Sequence, residues 1–392
     1  MPSPHRALTQ LDVRRFVEDR CFPTGAGRVG AELEWFVTGD ATHAAVASAA
    51  ANGPYPGGSR LTFEPGGQVE LSSPPGDLAS VCGALAVDTA ELQRRLARIG
   101  AGLLAAGVHP DRDPVRVLDE PRYVAMDSYW SGGGEHDPGA GIAMMCTTAA
   151  IQVSVDCASD VADQDRRWRL AHALSPVLAA CFANSPVARG VVTGWRSTRL
   201  GIWEGLDRTR TAPALRTGQA VDDWTAYVLD ANVMLIRDGD GCVALDHPFP
   251  FGRWLAEGHE LGWPDAGDLA YHASTLFPPV RPKGYLELRC IDAIGSPWWA
   301  VPIAVATALL DDPEAADRAA RATGRASWCW CEAPRWSLDY EPLAEAARTC
   351  FTLAREALGR MDAPRSVVAV VEAFQDRFVD RGTCPADQVL VK

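Results

Sequence analysis

The segment Thr62–Pro75, TFEPGGQVELSSPP, narrows the possible folds of this chain more than any other stretch. A short apolar run ends at Glu64, Pro65-Gly66-Gly67 turns the chain, and the alternating run Gln68-Val69-Glu70-Leu71-Ser72 leaves. Proline presets φ and glycine tolerates φ > 0, so the pattern predicts a β-hairpin. Side chains alternate faces along a strand, which puts Gln68, Glu70 and Ser72 on one side and Val69 and Leu71 on the other. Glu64 is brought beside them across the turn. Carboxylates held together on a rigid sheet repel unless a cation sits between them, and hard oxygen ligands suit Mg²⁺. Taken alone, the segment also reads as a hairpin with a solvated polar face.

Arg28–Val37, RVGAELEWFV, shifts that balance. Val29, Ala31, Leu33, Trp35 and Val37 fall on one face, so Glu32 and Glu34 project together from the other. In Arg281–Arg289, RPKGYLELR, one strand would carry Arg281, Lys283, Tyr285, Glu287 and Arg289 on a single face. Ala150–Asp156 alternates Ile151, Val153 and Val155 against Gln152, Ser154 and Asp156. Strands with one apolar and one charged face predict an antiparallel sheet covered on one side. The mixture of carboxylates, Arg and Lys on the uncovered side points to a cation- and phosphate-binding face. Lys283 adds weight, because it and Lys392 are the lysines among 37 basic residues. A lysine supplies a compact point charge where arginine supplies a planar fork, and a phosphate site can use both.

The 392 residues are expected to form one domain of α+β class, since no repeat, linker or long charge run divides them. A net charge of −13 disfavours nucleic acid and anionic membranes as partners. The N-terminal MPSPHRALTQLDVRRF lacks the apolar core of a signal peptide, and no apolar run reaches membrane-spanning length. A cytoplasmic protein is expected, as a monomer or weak homodimer. The eleven cysteines read as reduced, mostly buried small hydrophobes. With no CxxC pair, structural zinc is disfavoured, and Cys329/Cys331 is a minor redox candidate.

Spacing and capping predict helices over residues 9–20, with Thr9 as cap, 77–106, ended by Gly107, and 165–184, kinked at Pro176. Further helices are expected over 298–310, 313–322, 341–358 and 366–379, with short strands at 232–237 and 242–245. Ala41–Arg60 reads as loop. Asp127–Gly141, rich in glycine and holding His136, reads as neither strand nor helix, and as either a mobile lid or a passive loop. P-loop, dinucleotide-binding, serine-hydrolase and zincin motifs are absent. Any ATP phosphates would therefore be held by metal on carboxylates instead of a glycine cradle.

The order of these fragments resembles the glutamate–cysteine ligases of plant and actinobacterial type, and within them the branch that begins ergothioneine synthesis. The match runs through Gly30–Glu34, Glu64–Ser72, Pro121-Arg122-Tyr123 with Met126, and Met144-Met145 through Thr148 to Gln152 and Asp156. It continues with Ala183–Pro186, Ser197-Thr198-Arg199, Trp203, Asp207 and Arg210, and ends on Lys283–Arg289 with Asp292. The resemblance implies a glutamine-synthetase-like catalytic fold, a curved antiparallel sheet with one polar active-site face and helices packed outside. It also implies a reaction in which ATP phosphorylates the γ-carboxylate of L-glutamate and the amine of L-cysteine attacks the acyl phosphate. The products are γ-glutamylcysteine, ADP and phosphate. ATP would be a co-substrate, and more than one Mg²⁺ ion the metal cofactor.

By the same resemblance, Glu32, Glu34, Glu64, Glu70 and Glu287 share the Mg²⁺ ions. Lys283 and Arg289 neutralise phosphoryl charge with Gln152 close by, since phosphoryl transfer is mainly positioning and electrostatics. Arg199, with Arg196 as second choice, grips the glutamate α-carboxylate by its bidentate fork, and Thr148 and Met145 line that pocket. The alternatives are a related carboxylate–amine ligase with another acceptor, and a Mg²⁺-dependent phosphohydrolase, which also needs clustered carboxylates. The plant pattern of regulatory cysteine pairs is not evident here.

Overall fold

The computed structural model describes residues 8–25, 27–132, 137–239 and 241–390. Its sheet strands are β1 (Val29–Thr38), β2 (Arg60–Phe63), β3 (Val69–Ser72), β4 (Gly102–Leu104), β5 (Ala150–Val155), β6 (Val280–Pro282) and β7 (Leu286–Asp292). Among the described residues these seven form one sheet in the order β6-β7-β5-β1-β3-β2, with β4 paired to β1. Every pairing is antiparallel. Val29, Ala31, Leu33, Val69, Leu71, Ile151, Val153, Val155, Leu286 and Leu288 are all buried in one core. The helices Leu78–Ala97, Val161–Cys181 and Ala300–Asp311 pack against the sheet from the core side. The expected α+β class with an antiparallel sheet holds.

Several boundaries moved, each for a local reason. Ala41–Arg60 is not all loop, because Thr42 caps a helix over His43–Ala50 whose alanine-rich sequence carries little periodicity. The helix beginning at Leu78 stops at Ala97, not at Gly107; Gly100 takes φ +69°, and the chain returns as β4. Leu103, which kept the helical spacing, belongs to that strand. The span Asp127–Gly141 is largely helical at its ends, within Pro121–Ser131 and Pro138–Thr147. The lid reading and His136 rest on residues 133–136, outside the described part of the chain.

The helix over Val161–Cys181 does contain Pro176. At the N-terminus Thr9 caps Gln10–Phe16 in a capping box with Asp12, and the helix widens into a π-turn over Val17–Cys21. The expected strands at 232–237 and 242–245 form a separate ribbon, Leu235–Asp238 with Gly241–Ala244. Pro313–Ala322 is a helix as expected, and its neighbours run Ala300–Asp311, Glu341–Arg360 and Arg365–Arg377.

RPKGYLELR is a hairpin and not one strand. Gly284 adopts φ +83°, a backbone region that favours glycine, and donates its N–H to the Cys21 carbonyl at 3.1 Å. Lys283 therefore stands in the turn, not inside a strand, and Arg281 pairs across it with Glu287. Among the described residues no helix is long and apolar enough to cross a membrane.

Candidate active site

Strand register builds the centre of the polar face. Glu34 on β1 lies opposite Glu70 on β3, and Glu32 lies opposite Ser72 on one side and Gln152 on the other. The turn between β2 and β3 carries Glu64, whose N–H donates to the Gln68 carbonyl at 2.9 Å. Gly66 allows this turn to lie against the helix Pro138–Thr147, because a Cβ there would stand 2.6 Å from the Cys146 Cα. The result is three carboxylates, Glu34, Glu64 and Glu70, with oxygens within 4.8 Å of one another.

Neighbours hold two of these carboxylates in place. Glu34 accepts from the Ala150 N–H at 2.8 Å and from Gln152 Nε2 at 2.9 Å. Glu70 accepts from Thr62 Oγ1 at 2.5 Å and Ser72 Oγ at 3.1 Å. Burial, then the charge of Glu70, pushes the Glu34 carboxyl up to about 7, and burial with Glu70 and Glu287 does the same to Glu32. Glu64 is pushed well above the usual carboxylate range by burial, Glu34 and Glu70. Crowded, acceptor-only oxygens whose ionisation is resisted by one another fit a hard divalent cation such as Mg²⁺, which would relieve that repulsion.

A cationic cluster flanks this centre. Glu287, fully buried, accepts from Arg281 Nε at 2.8 Å and Arg289 Nη1 at 2.9 Å, with Lys283 Nζ 3.7 Å from its other oxygen. Burial opposes its ionisation, but Arg281, Arg289 and Lys283 prevail and hold the carboxyl well below its ordinary value. Glu287 thus stands with the arginines, apart from the Glu34–Glu64–Glu70 group. Arg289 Nη1 also donates to Gln152 Oε1, which joins the cationic cluster to the carboxylates through one amide.

Around Arg289 the β7–β5 register slips, between Leu288 and Ile291. A bulge of this kind re-aims side chains and frees backbone groups from the ladder. The Arg289 carbonyl accepts from Arg199 Nη2 at 2.7 Å, and Asp292 lies 3.6 Å from Arg199 Nη1. Asp292 is itself held by the Asn184 N–H, Ser185 Oγ and Ser197 Oγ. Arg199 Nη1 is buried without a hydrogen-bond partner among the described residues.

These groups line a cavity of about 930 Å³. Of the residues singled out from the sequence, Glu32, Glu34, Glu64, Glu70, Gln152, Thr148, Met145, Arg199, Lys283 and Arg289 all border it. Glu287 lies behind the wall. Arg196 lies elsewhere, paired with Asp387 at 2.5 Å and Asp339 at 2.9 Å. Sequence reasoning assigned no role to Arg60, Arg122, Tyr123, Trp203 or Phe277, which also border the cavity. Arg60 had a signal, since it alternates with Thr62 along β2 and with Glu64 just beyond the strand. Gln68 is buried, donating Nε2 to the Thr148 carbonyl at 2.8 Å and so fixing the cavity floor. An adjoining hollow of about 430 Å³ shares Glu32, Arg60 and Lys283 with the main cavity.

The chain is similar to known proteins over most of its length. The chain is 40% identical over 354 residues to "Glutamate--cysteine ligase EgtA" of Mycolicibacterium smegmatis, covering 86% of this chain and 82% of the relative. It is 40% identical over 346 residues to the protein of that name from Mycobacterium tuberculosis, covering 85% and 77%. The chloroplastic glutamate–cysteine ligase of Arabidopsis thaliana is 31% identical over 252 residues, 62% of this chain and 47% of that protein. Among solved structures, the glutamate–cysteine ligase gshA of Francisella tularensis in complex with AMP superposes with TM-score 0.54 at 14% identity. That superposition covers 94% of this chain and 85% of the other, and supports the fold. The model of glutamate–cysteine ligase family 2 matches residues 28–392, from the first sheet strand to the end of the chain, so this enzyme belongs to that family.

Proposed function

We infer that the enzyme uses ATP to join the γ-carboxylate of L-glutamate to the amine of L-cysteine, through a γ-glutamyl phosphate, at the entry to ergothioneine synthesis. The observation that carries this reading is the convergence of Glu34, Glu64 and Glu70 beside Arg289 in one cavity, in a chain of this family. A carboxylate is a poor electrophile, and converting it to an acyl phosphate requires charge neutralisation where the phosphoryl group transfers. Glu34, Glu64 and Glu70, with Glu32 beside them, would hold Mg²⁺. Bound there, Mg²⁺ would neutralise the ATP phosphates and the γ-carboxylate while they react.

The chain's own cations complete the site. Arg289, oriented by Glu287 and Gln152, offers fixed N–H donors towards the transferring group, a preorganised form of electrostatic stabilisation. Lys283, half-exposed on its turn, supplies a movable point charge at the cavity edge. Arg199, whose buried Nη1 makes no hydrogen bond and stands 3.6 Å from Asp292, suits the glutamate α-carboxylate, with Thr148 and Met145 alongside. The test is mass detection of products from glutamate, cysteine, ATP and Mg²⁺. γ-Glutamylcysteine with one ADP per dipeptide is expected. Phosphate release from a monoester without glutamate or amine would instead mark a phosphohydrolase, and a dipeptide formed only with a different amine would replace the acceptor.

A further inference from the structure

The match to the family model begins at residue 28, yet part of the cavity wall is built from residues before it. Phe16, Arg20 and Cys21 border the cavity. They come from the end of the N-terminal helix, where Gln10–Phe16 widens into the π-turn Val17–Cys21. π-Turns are rare in helices and frequently mark functional sites. Here Val17 and Cys21 stay buried, and Glu18, Asp19 and Arg20 between them are exposed.

This helix end is anchored on both sides. The Phe22 ring packs edge-on against Trp168 at 5.6 Å, and the Phe22 carbonyl accepts from Gln164 Nε2 at 3.0 Å. The Cys21 carbonyl accepts from the Gly284 N–H at 3.1 Å, and a Cβ on Gly284 would stand 3.6 Å from the Arg20 carbonyl oxygen. The turn that presents Lys283 therefore rests on the Arg20–Cys21 backbone. That is the carbonyl end of a helix, where a cation is favoured. Support matters there, because the turn follows β6, a strand of 3 residues at the sheet edge.

We propose that Arg20 binds the nucleotide phosphates together with Lys283, as a cation that the N-terminal helix adds to the cavity rim. The proposal rests on the ligase reading above. Among the exposed residues of the π-turn, Glu18 is paired with Arg14 at 2.9 Å, whereas Arg20 borders the cavity and makes no ion pair among the described residues. Arg281 and Arg289 are committed to Glu287. Arg20 and Lys283 are left as cations that share one backbone support and can turn towards a ligand. Glutamate and cysteine each bring one α-carboxylate, while ATP brings a chain of phosphates, the larger charge for such a pair to meet.

The experiment measures KM for ATP, glutamate and cysteine, and the calorimetric affinity for ADP with Mg²⁺, in the parent enzyme, Arg20→Ala, Arg20→Lys and Arg20→Glu. Arg20 is exposed, so none of these changes removes core packing. Arg20→Ala should raise KM for ATP and Kd for ADP about three- to tenfold, the loss of one solvent-screened charged contact. Arg20→Lys should keep most of the affinity, and Arg20→Glu should lose more than Arg20→Ala. KM for glutamate and for cysteine should move by less than about twofold. The gap between parent and Arg20→Ala should narrow as salt is added, because the contact is screened. Unchanged ATP and ADP values in Arg20→Ala and Arg20→Glu would make Arg20 an ordinary surface residue and overturn the assignment. An equal rise in all three KM values would also overturn it, since a phosphate contact is selective for the nucleotide. A parent that binds ADP but forms no dipeptide sinks the ligase reading alone, because ADP affinity still tests Arg20. A parent that binds no ADP overturns both.

Discussion

Glu287 is the residue whose surroundings most change what its sequence suggested. It alternates onto the polar face as a ligand would, yet it sits buried among Arg281, Arg289 and Lys283. Removing one partner of a buried ion pair leaves uncompensated charge and costs about 3–5 kcal/mol. Glu287→Gln should therefore lower the unfolding free energy by about that amount and also lower kcat by about 10²-fold, because Arg289 loses its orientation. Urea unfolding and saturation kinetics read both; a variant with parental stability would show the carboxylate to be idle. Arg199 is expected to behave differently. The α-carboxylate it is assigned keeps its charge throughout, so Arg199→Ala should raise KM for glutamate about 10²-fold or more while KM for ATP changes little. Lysine at this position should restore little, because Arg199 reaches the Arg289 carbonyl and Asp292 with separate nitrogens. A shift confined to the ATP curve would move Arg199 to the nucleotide side.

At the scale of elements, the β2–β3 hairpin decides where Glu64 stands. Gly66 has no room for a side chain, with the Cys146 backbone directly behind it. Gly66→Ala should push the turn off the helix Pro138–Thr147, costing about 1–3 kcal/mol as overpacking does and lowering activity through displacement of Glu64. Denaturant midpoints and kcat measured together test this, and an unaffected kcat would mean that Glu64 needs no fixed position. The hairpin was legible because alternation along a strand is a period-2 signal that survives in sequence, and the same signal gave the faces of β1 and β5. What was not legible depended on contacts distant in sequence. The helix His43–Ala50 has too little apolar periodicity to show, and Leu103 kept helical spacing although Gly100 had already turned the chain. The Lys283–Gly284 turn broke a run that alternated well enough to pass for one strand. Arg281, Glu287 and Arg289 still came together, but across a hairpin ladder. The bulge that frees the Arg289 carbonyl for Arg199 lies in the β7–β5 register, which no single segment encodes.

For the molecule as a whole, the carboxylate centre is a destabilising element that metal should correct. Burial and mutual repulsion raise the Glu32 and Glu34 carboxyls to about 7 and push Glu64 well above the ordinary carboxylate range, against roughly 4.3 for an unfolded glutamate. Between those values the folded protein binds more protons than the unfolded chain. In metal-free protein the contribution of these groups is then fully present below about pH 4.3 and is lost as pH rises through about 7. Glu287 runs the other way: its lowered carboxyl supports the fold above the unfolded value and loses that support only as pH falls below it. Near neutrality the raised group governs the slope. Mg²⁺ needs the ionised carboxylates, so its binding must release protons and strengthen with pH, by about tenfold per unit for each proton released. Thermal melts of the metal-free protein at about pH 6 and pH 8, with and without Mg²⁺, put this to the test. The Mg²⁺-induced rise in melting temperature should be clearly larger at the higher pH, and Glu64→Gln should reduce that difference without abolishing the fold. An equal rise at both values, in parent and variant alike, would place the ion somewhere other than Glu34, Glu64 and Glu70.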